Sequence, residues 1–171
     1  GAKVVIIESQ AAVGGNSVRA TGGMNAGDTI YQDKAEFAQA AGVEKTLAGI
    51  GAYADNETIV KLADEVKVQW AAYQQNPEGY FDSVELMQLD TIIGGKGINN
   101  LDLVMTMVNG SADAIDWLAT KDSHLVSVGS FGGASVMRIH RALTAEGKTT
   151  PVGAYLVKTL TAAVEADEKV D

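Results

Sequence analysis

The feature that most constrains this chain is a strongly apolar segment near its beginning, residues 2–9, with the sequence AKVVIIES. Written as a strand, this segment is apolar on both faces, because alternate residues of a strand point to opposite sides. Such strands are typical of parallel sheets that helices cover on both faces. The segment therefore predicts an α/β fold. Since one strand cannot form a sheet alone, we expect its partner strands to lie before Gly1 and after Asp171.

Most of the remaining chain has the spacing of amphipathic helices. Between residues 56 and 75, apolar side chains recur every three or four positions, and Asp55 or Asn56 stands where an N-cap is needed. Similar spacing follows Ser83 and ends at a pair of glycines. The patterns predict helices at residues 34–41, 56–75, 82–94, 102–120 and 151–169, with strand and turn at 124–134. The chain is therefore expected to be mostly helical with a few short strands.

Composition argues against several kinds of site. The formal net charge is -9 and the 13 basic residues are scattered, which disfavours a surface for nucleic acid or anionic membrane. There is no cysteine, so disulfides, thiolate zinc sites, iron–sulfur clusters and CxxCH haem attachment are excluded within this stretch. Only two histidines occur, His124 and His140, and no EF-hand or HExxH spacing is present, so no metal site is expected.

The sequence says little about compartment. No run of about 18 apolar residues occurs, and no basic segment followed by an apolar core begins the chain, so neither a membrane span nor a signal peptide is expected in this stretch. The compartment stays open, with the cytoplasm favoured.

Glu8 ends the apolar segment at a position that carries chemistry in dinucleotide-binding folds. In those folds a carboxylate at the end of a buried strand accepts hydrogen bonds from ribose hydroxyls. The glycine-rich phosphate fingerprint normally precedes that carboxylate by about 20 residues, and this chain does not contain it. From the residues alone two interpretations stay open: a ribose ligand, or a surface acid at the end of a strand.

The stretch at residues 10–27 is rich in glycine and alanine. It contains GGNS at 14–17 and ATGGMNA at 20–26. Glycines at this density, without a repeat, indicate backbone that approaches a bulky group closely, or turns with positive φ. The residues alone do not separate a ligand-binding loop from a set of turns without a ligand.

Four segments occur together in an order and spacing that resembles one protein family. They are AKVVIIES, GGNSVRATGGMNA, GGKGINN with NGSADAIDWL, and FGGASVMRIHR. The combination resembles the FAD-binding domain of soluble fumarate reductase and urocanate reductase-like flavoproteins. That family belongs with the flavoprotein subunits of succinate dehydrogenase, with aspartate oxidase and with 3-ketosteroid dehydrogenase. The resemblance covers nearly all of the chain and implies an incomplete Rossmann-like FAD-binding domain within an α/β parent fold.

The resemblance divides the chain into three parts. Residues 1–33 would be a partial FAD-binding segment, and residues 34–122 a helical region. Residues 123–171 would return to the FAD-binding domain and end in a helix. The region at 34–79 is longer than in many relatives, and could be a helical elaboration or a surface that faces a partner.

The resemblance also implies which residues contact FAD. Glu8 would hold the adenosine ribose. Asn16 and Ser17 would lie against the phosphates and ribityl chain, where backbone N–H groups and short polar side chains suit an anionic ligand. Gly22 and Gly23 would bring the backbone against the flavin ring, because glycine has no Cβ to clash. The implied cofactor-binding set is Glu8, Asn16, Ser17, Gly22, Gly23, Met24 and Asn25.

The last of the four segments carries three further candidates, Arg138, His140 and Arg141. A guanidinium suits a dicarboxylate substrate well. In the family, however, the proton-donating arginine and the residues that clamp the substrate lie further along than this chain reaches. We therefore expect structural roles for these three residues and no catalytic residue in the chain. The sequence departs from the family at residues 142–144, which read ALT where the family continues with proline and a glycine pair.

The implied reaction of the parent protein is reduction of the C=C bond of an unsaturated carboxylate. Fumarate to succinate is the leading pair, urocanate or another unsaturated acid is the competitor, and the electron donor is unidentified. The present chain is expected to be inactive alone and to bind FAD weakly or not at all, because it lacks the pyrophosphate-binding helix N-terminus. Apolar residues at 4–7 make self-association possible.

Two alternatives accompany this interpretation. Residues 34–120 could form a self-standing helical interaction module without flavin. A nicotinamide-dependent Rossmann enzyme is the weaker alternative, because no second short βαβ pattern follows Glu8 and the two glycine segments would be unexplained.

Overall fold

The structure is a computed structural model that describes residues 3–34, 40–130 and 132–169. Within these ranges the chain is mostly helical, as expected. The helices are α1 (Ala40–Ala48), α2 (Glu57–Gln75), α3 (Val84–Gly94), α4 (Leu101–Asn109), α5 (Ser111–Ala119) and α6 (Val152–Glu165). The short strands β1 (Met24–Asn25), β2 (Ser127–Gly129) and β3 (Ile139–Arg141) form one antiparallel sheet in the order β1-β3-β2. Short 3₁₀ helices occur at Gly15–Arg19, Gln32–Lys34 and Gly49–Tyr53.

The buried strand predicted at residues 2–9 is not present among the described residues. The first two residues of the chain lie outside the described residues, and among residues 3–9 only Val4 takes part in a bridge. Its N–H donates to the carbonyl of Lys169 over 3.1 Å. Val5 and Ile7 are 67% and 90% exposed. The physical reason is that a strand with two apolar faces needs a paired strand on each side, and the described residues provide none here.

The chain divides into two compact units. The first, which we call the terminal unit, comprises Gly1–Met24, Ala114–Ser127 and His140–Asp171. The second, the helical unit, comprises Asn25–Asp113 and Val128–Ile139. The three-part division of the chain expected from the resemblance stays a prediction.

Helices α2 and α3 form the centre of the helical unit. The buried residues of α2 recur at helical spacing, from Ile59 through Leu62 and Val66 to Trp70, as the sequence pattern predicted. Helix α3 contributes further fully buried leucine and isoleucine side chains to the same apolar cluster. Burial of each such side chain contributes about 1.5–3 kcal/mol. The core therefore fixes the face that each helix turns inward.

Both central helices begin at a side-chain cap. The Asn56 side chain accepts a hydrogen bond from the N–H of Ile59 at 3.1 Å, and the Ser83 hydroxyl accepts one from Leu86 at the same distance. Each cap satisfies one of the N–H groups that a helix leaves without a partner at its start. The predicted starts of these two helices are therefore confirmed.

The other helix predictions differ in detail. The single helix predicted at 102–120 is two helices, because Gly110 ends α4 and α5 begins at the next residue. Glycine is a poor helix former, so ending the helix there costs little free energy. Most of the helix predicted at 34–41 lies outside the described residues, whereas α1 was not predicted. None of the helices in the described ranges has the length and apolar character that crossing a membrane requires.

Three aromatic side chains pack together in the helical unit. Trp70 and Phe81 are each 7% exposed, and their ring centroids lie 4.9 Å apart. Tyr73 packs against both rings, at centroid distances of 5.5 and 5.3 Å. Trp117 differs, because it is 55% exposed.

In the terminal unit, helix α6 begins directly after Pro151, as predicted. The N–H groups of Val152 and Gly153 donate to the carbonyls of Gly22 and Ala20, at 3.3 and 3.0 Å. The loop carbonyls thus satisfy N–H groups at the helix start. Gly153 is required for this approach, because a Cβ there would overlap the carbonyl oxygen of Ser17.

Candidate cofactor-binding site

Asn16 and Ser17 lie in the exposed 3₁₀ helix Gly15–Arg19 of the terminal unit. Gly14 precedes this helix with a φ of 103°, a conformation that favours glycine. The Ser17 carbonyl accepts a hydrogen bond from Ala20 at 3.1 Å, which closes the turn. The short polar side chains of Asn16 and Ser17 are therefore available to a ligand at the surface of this unit.

Gly22 and Gly23 follow in the same loop. The Gly22 carbonyl accepts hydrogen bonds from the Val152 N–H and from the Arg141 Nε, the second at 3.4 Å. A Cβ added at Gly22 would meet no protein atom within 4 Å. Protein packing therefore does not explain why glycine stands at position 22. Met24 is half-buried and begins β1.

Glu8 lies at a cavity of about 550 Å³ in the terminal unit. Apolar side chains of α6, including Val157 and Leu160, line this cavity together with Ile6. One Glu8 carboxylate oxygen accepts the N–H of Gln10 at 2.8 Å. An exposed acid beside an apolar cavity fits a ligand with an apolar ring and neighbouring hydroxyls. The other predicted residues of the terminal unit do not line this cavity.

A second cavity, of about 370 Å³, lies within the helical unit and has Asn25 in its wall. We call it the Asn25 cavity. Met87 and Met107 supply apolar surface, and Gly132 and Gly133 leave backbone exposed along another part of the wall. A Cβ at either glycine would meet no protein atom within 4 Å. The volume is within the usual range for ligand pockets, about 300–1,000 Å³.

The wall of the Asn25 cavity also contains Arg138 and Asp90, which belong to a buried ion-pair network. Arg138 donates from Nε and Nη2 to the two carboxylate oxygens of Asp82, at 2.8 and 2.6 Å. Its Nη1 donates to Asp90 at 2.7 Å. The three side chains are 3%, 1% and 8% exposed, for Arg138, Asp82 and Asp90 respectively. The guanidinium of Arg138 thus forms ion pairs with two carboxylates of its own chain.

The network is extended by neutral donors. Ser135 donates to the Asp90 carboxylate through its hydroxyl and its N–H, at 2.6 and 2.9 Å. The Gln32 side-chain amide donates to Asp82 at 2.7 Å and to the Met137 carbonyl at 2.9 Å. Buried charges are stable only when paired and hydrogen-bonded in this way.

Electrostatics follow from this arrangement. Burial by itself lowers the pKa of the Arg138 guanidinium, but the hydrogen bonds and charges of Asp82 and Asp90 outweigh burial, so its pKa is raised. The pKa of Asp28 is also raised, first by burial and then by the neighbouring charges of Asp82, Asp33 and Glu85. Arg138 is therefore a fixed positive charge, suited to structure rather than proton transfer.

The sequence interpretation of Arg138 as structural agrees with this geometry, but its partners were not predicted. Asp82 was read only as a helix boundary and Asp90 as a position within a helix. No local pattern pairs these acids with Arg138, because Asp82 precedes α3, Asp90 lies within it, and both are about 50 residues from Arg138 along the chain. His140, another of the three candidates in the segment FGGASVMRIHR, is fully buried. No group of three or more potential metal ligands occurs among the residues that the structure describes.

The sequence of this chain is similar to those of several known oxidoreductases. No family model matches the chain. A fumarate reductase (cytochrome) of Shewanella frigidimarina is 32% identical over 160 residues, which are 94% of this chain and 20% of that protein. An NADH:acrylate oxidoreductase of Vibrio harveyi is 33% identical over 136 residues, 71% of this chain and 13% of that protein.

The fold is similar to that of a solved structure from the same group. An open conformation of a flavocytochrome c3 fumarate reductase superposes with a TM-score of 0.55 and 25% sequence identity, over 91% of this chain and 20% of that one. The chain thus spans about a fifth of the length of the fumarate reductases it matches. Over that span, the chain belongs to the family of the fumarate reductase flavoproteins.

Proposed function

We propose that the protein is an FAD-dependent oxidoreductase that reduces the C=C bond of an unsaturated carboxylate, with fumarate as the leading substrate. The observation that carries this proposal is the similarity over 94% of the chain to a fumarate reductase. This chain would supply part of a Rossmann-like FAD-binding domain. Bound FAD would supply the hydride, and the residues of this chain would bind and orient the cofactor.

Two separate surfaces support the roles proposed for individual residues. In the terminal unit, Glu8 beside its apolar cavity suits the adenosine ribose, and the exposed Asn16 and Ser17 suit phosphate oxygens. The open space above Gly22 suits close approach by a flat ring. In the helical unit, Asn25 offers an amide that can both donate and accept at the edge of a ring.

The substrate is assigned as a class of compound, the unsaturated carboxylates. One relative is named for fumarate and one for acrylate, both unsaturated carboxylates. Urocanate is a third candidate. Because Arg138 is already bonded to Asp82 and Asp90, we propose no substrate-binding or catalytic role for it. The electron donor of this protein is unassigned.

The proposal is tested with the protein expressed from its complete reading frame. Visible spectra are recorded after purification, after chemical reduction, and after addition of fumarate, acrylate, urocanate or the saturated acid succinate. Yellow protein whose reduced flavin is reoxidised by one of the three unsaturated acids, and not by succinate, supports the proposal. Folded protein that neither contains nor takes up FAD contradicts it.

The alternative, a helical interaction module without flavin, has one observation in its favour. The helical unit has its own apolar core, built from α1 to α4 and residues 136–137. The same experiment separates the two: colourless, well-folded protein supports the module.

A further inference from the structure

Asp90 of α3 connects three parts of the helical unit. Its Oδ2 accepts the N–H and hydroxyl of Ser135 and the Nη1 of Arg138, at 2.6 to 2.9 Å. Its Oδ1 accepts the Thr46 hydroxyl of α1 at 3.2 Å. A hydrogen bond to a charged acceptor contributes more to stability than one between neutral groups. One carboxylate thus holds the backbone at residue 135 against two helices.

The same residues connect to Asn25, which forms another part of the cavity wall. The Arg138 carbonyl accepts the N–H of Ala26, directly after Asn25, at 3.1 Å. Asp82, bonded twice to the Arg138 guanidinium, accepts the N–H of Asp28 at 3.3 Å. The loop that contains Asn25 is therefore attached to Arg138 by main chain and side chain.

The hydrogen bonds of Ser135 lie directly after one wall of the cavity in the chain. Gly132, Gly133 and Ala134 form a wall directly before Ser135 and have no side chain larger than methyl. A Cβ at either glycine would meet no neighbouring atom within 4 Å, so side-chain contacts at positions 132 and 133 do not hold this backbone in place. The wall is anchored at Ser135, by its two hydrogen bonds to Asp90 and by the close packing of Gly42 of α1 against its carbonyl oxygen.

We propose that Asp90 is a positioning residue, which sets the distance between the wall at residues 132–134 and Asn25 and so sets how tightly the flavin ring is held. This inference rests on the proposed FAD binding and adds a residue of the cavity wall whose hydrogen bonds fix the shape of that wall. Asp90 acts through Ser135 and Arg138, and removal of its charge relaxes the wall.

The test uses three variants of the protein expressed from its complete reading frame. Asp90→Ala removes all four hydrogen bonds, and Asp90→Asn keeps the shape but loses the charge. Val66→Ala is the matched control, because Val66 is fully buried in the same unit and does not line the cavity. The dissociation constant of FAD is measured by fluorescence, the visible spectrum of bound FAD is recorded, and exchange of the Ser135 N–H is followed in the flavin-free protein.

We expect FAD affinity to fall in the order wild type, Asp90→Asn, Asp90→Ala. The loss should reach about tenfold or more for the alanine variant, the scale found when groups that orient metal ligands are removed. The spectrum should shift and the Ser135 N–H should exchange faster. Val66→Ala should lose stability but keep wild-type affinity and spectrum. If Asp90→Ala does not fold, Asp90→Asn carries the test.

Three results would overturn the inference, and they differ in whether the proposed function stands. If the wild type binds FAD and the folded Asp90 variants bind it equally well with unchanged spectra, the positioning role is wrong while the proposed function stands. If the wild type binds no FAD, the proposed function fails and this inference fails with it. Equal losses in the Asp90 variants and in Val66→Ala would show a general effect of stability, and would also overturn it.

Discussion

At the scale of single residues, the position of Asp28 shows how crowding of acids affects this chain. Asp28 has a positive φ of 56°, directly after the glycine-containing loop. Its N–H donates to Asp82, whose carboxylate is already bonded to Arg138 and Gln32. Because the Asp28 carboxyl is partly buried among other acids, its pKa is raised. A carboxyl whose folded-state pKa is raised destabilises the folded state when it is ionised.

The first prediction is that Asp28→Asn stabilises the protein at neutral pH. The penalty from ionised Asp28 is complete above its raised folded-state pKa and disappears below the unfolded value of about 3.9. The gain in free energy of unfolding should therefore vanish as the pH falls to that value. Asparagine also tolerates positive φ.

Urea unfolding between pH 3.5 and 7.5 measures this gain. Asp122→Asn is the control, since Asp122 has a similar φ of 55° and a fully exposed side chain. A gain that does not change with pH, or an equal gain in the control, would contradict the electrostatic explanation.

The second prediction concerns Glu8. If its carboxylate accepts hydrogen bonds from ribose hydroxyls, Glu8→Gln should weaken FAD binding about tenfold, because each hydrogen bond to a charged group contributes about 1.5–3 kcal/mol. The affinity is measured by fluorescence titration of the protein expressed from its complete reading frame. Glu44→Gln, which changes an exposed acid of α1, is the control. Equal affinities for both variants would show that Glu8 is not a cofactor residue.

At the scale of elements, α3 organises the helical unit. Asp82 lies two residues before its start, Ser83 caps it, and Asp90 lies within it. Its apolar residues face the core, while its polar residues accept hydrogen bonds from the segment at residues 132–139. Helix α1 approaches the same segment through Gly42, where a Cβ would overlap the carbonyl oxygen of Ser135. Small size at position 42 is therefore required for this packing.

The third prediction is that Gly42→Ala destabilises the protein by about 1–3 kcal/mol, because α1 or the backbone at Ser135 must move. Gly51→Ala is the matched control, since a Cβ there meets nothing within 4 Å. It should be neutral, or stabilising by up to about 1 kcal/mol. Thermal and urea unfolding of both variants measure the difference. If both glycines can be replaced without loss, α1 does not pack against Ser135 in this way.

At the scale of the whole molecule, a net charge of -9 opposes association, while an exposed apolar segment favours it. Residues 4–7 are four consecutive branched apolar residues, all of them substantially exposed. The described residues provide no neighbouring strand for them. An apolar segment of this kind, without a paired strand, is a site for association.

The fourth prediction is that Ile7→Glu lowers self-association of the 171-residue chain. Ile7 is 90% exposed, so a charge there should not disturb packing but should oppose contact between two such segments. Sedimentation velocity over a range of concentrations measures the change. The control is Ile98→Glu, at a residue that is 89% exposed in the helical unit. If the two variants behave alike, residues 4–7 are not the site of association.

Local features of the sequence were sufficient for several conclusions. The starts of α2 and α3 could be predicted, because capping and helical periodicity depend on neighbours within a few residues. The family could be identified from four segments, because their order and spacing are properties of the chain itself. The approach of loop carbonyls to α6 and the break at Gly110 were not predicted.

The tertiary structure decided the rest. Arg138 lies 56 residues from Asp82 and 48 from Asp90, so no local pattern links them. Only the folded helical unit shows that its charge is already paired. Residues 2–9 have the pattern of a buried strand, yet burial needs paired strands that the described residues do not supply. The spacing of apolar residues shows which face of a segment can be buried. The surface that this face packs against depends on contacts between residues far apart in the chain.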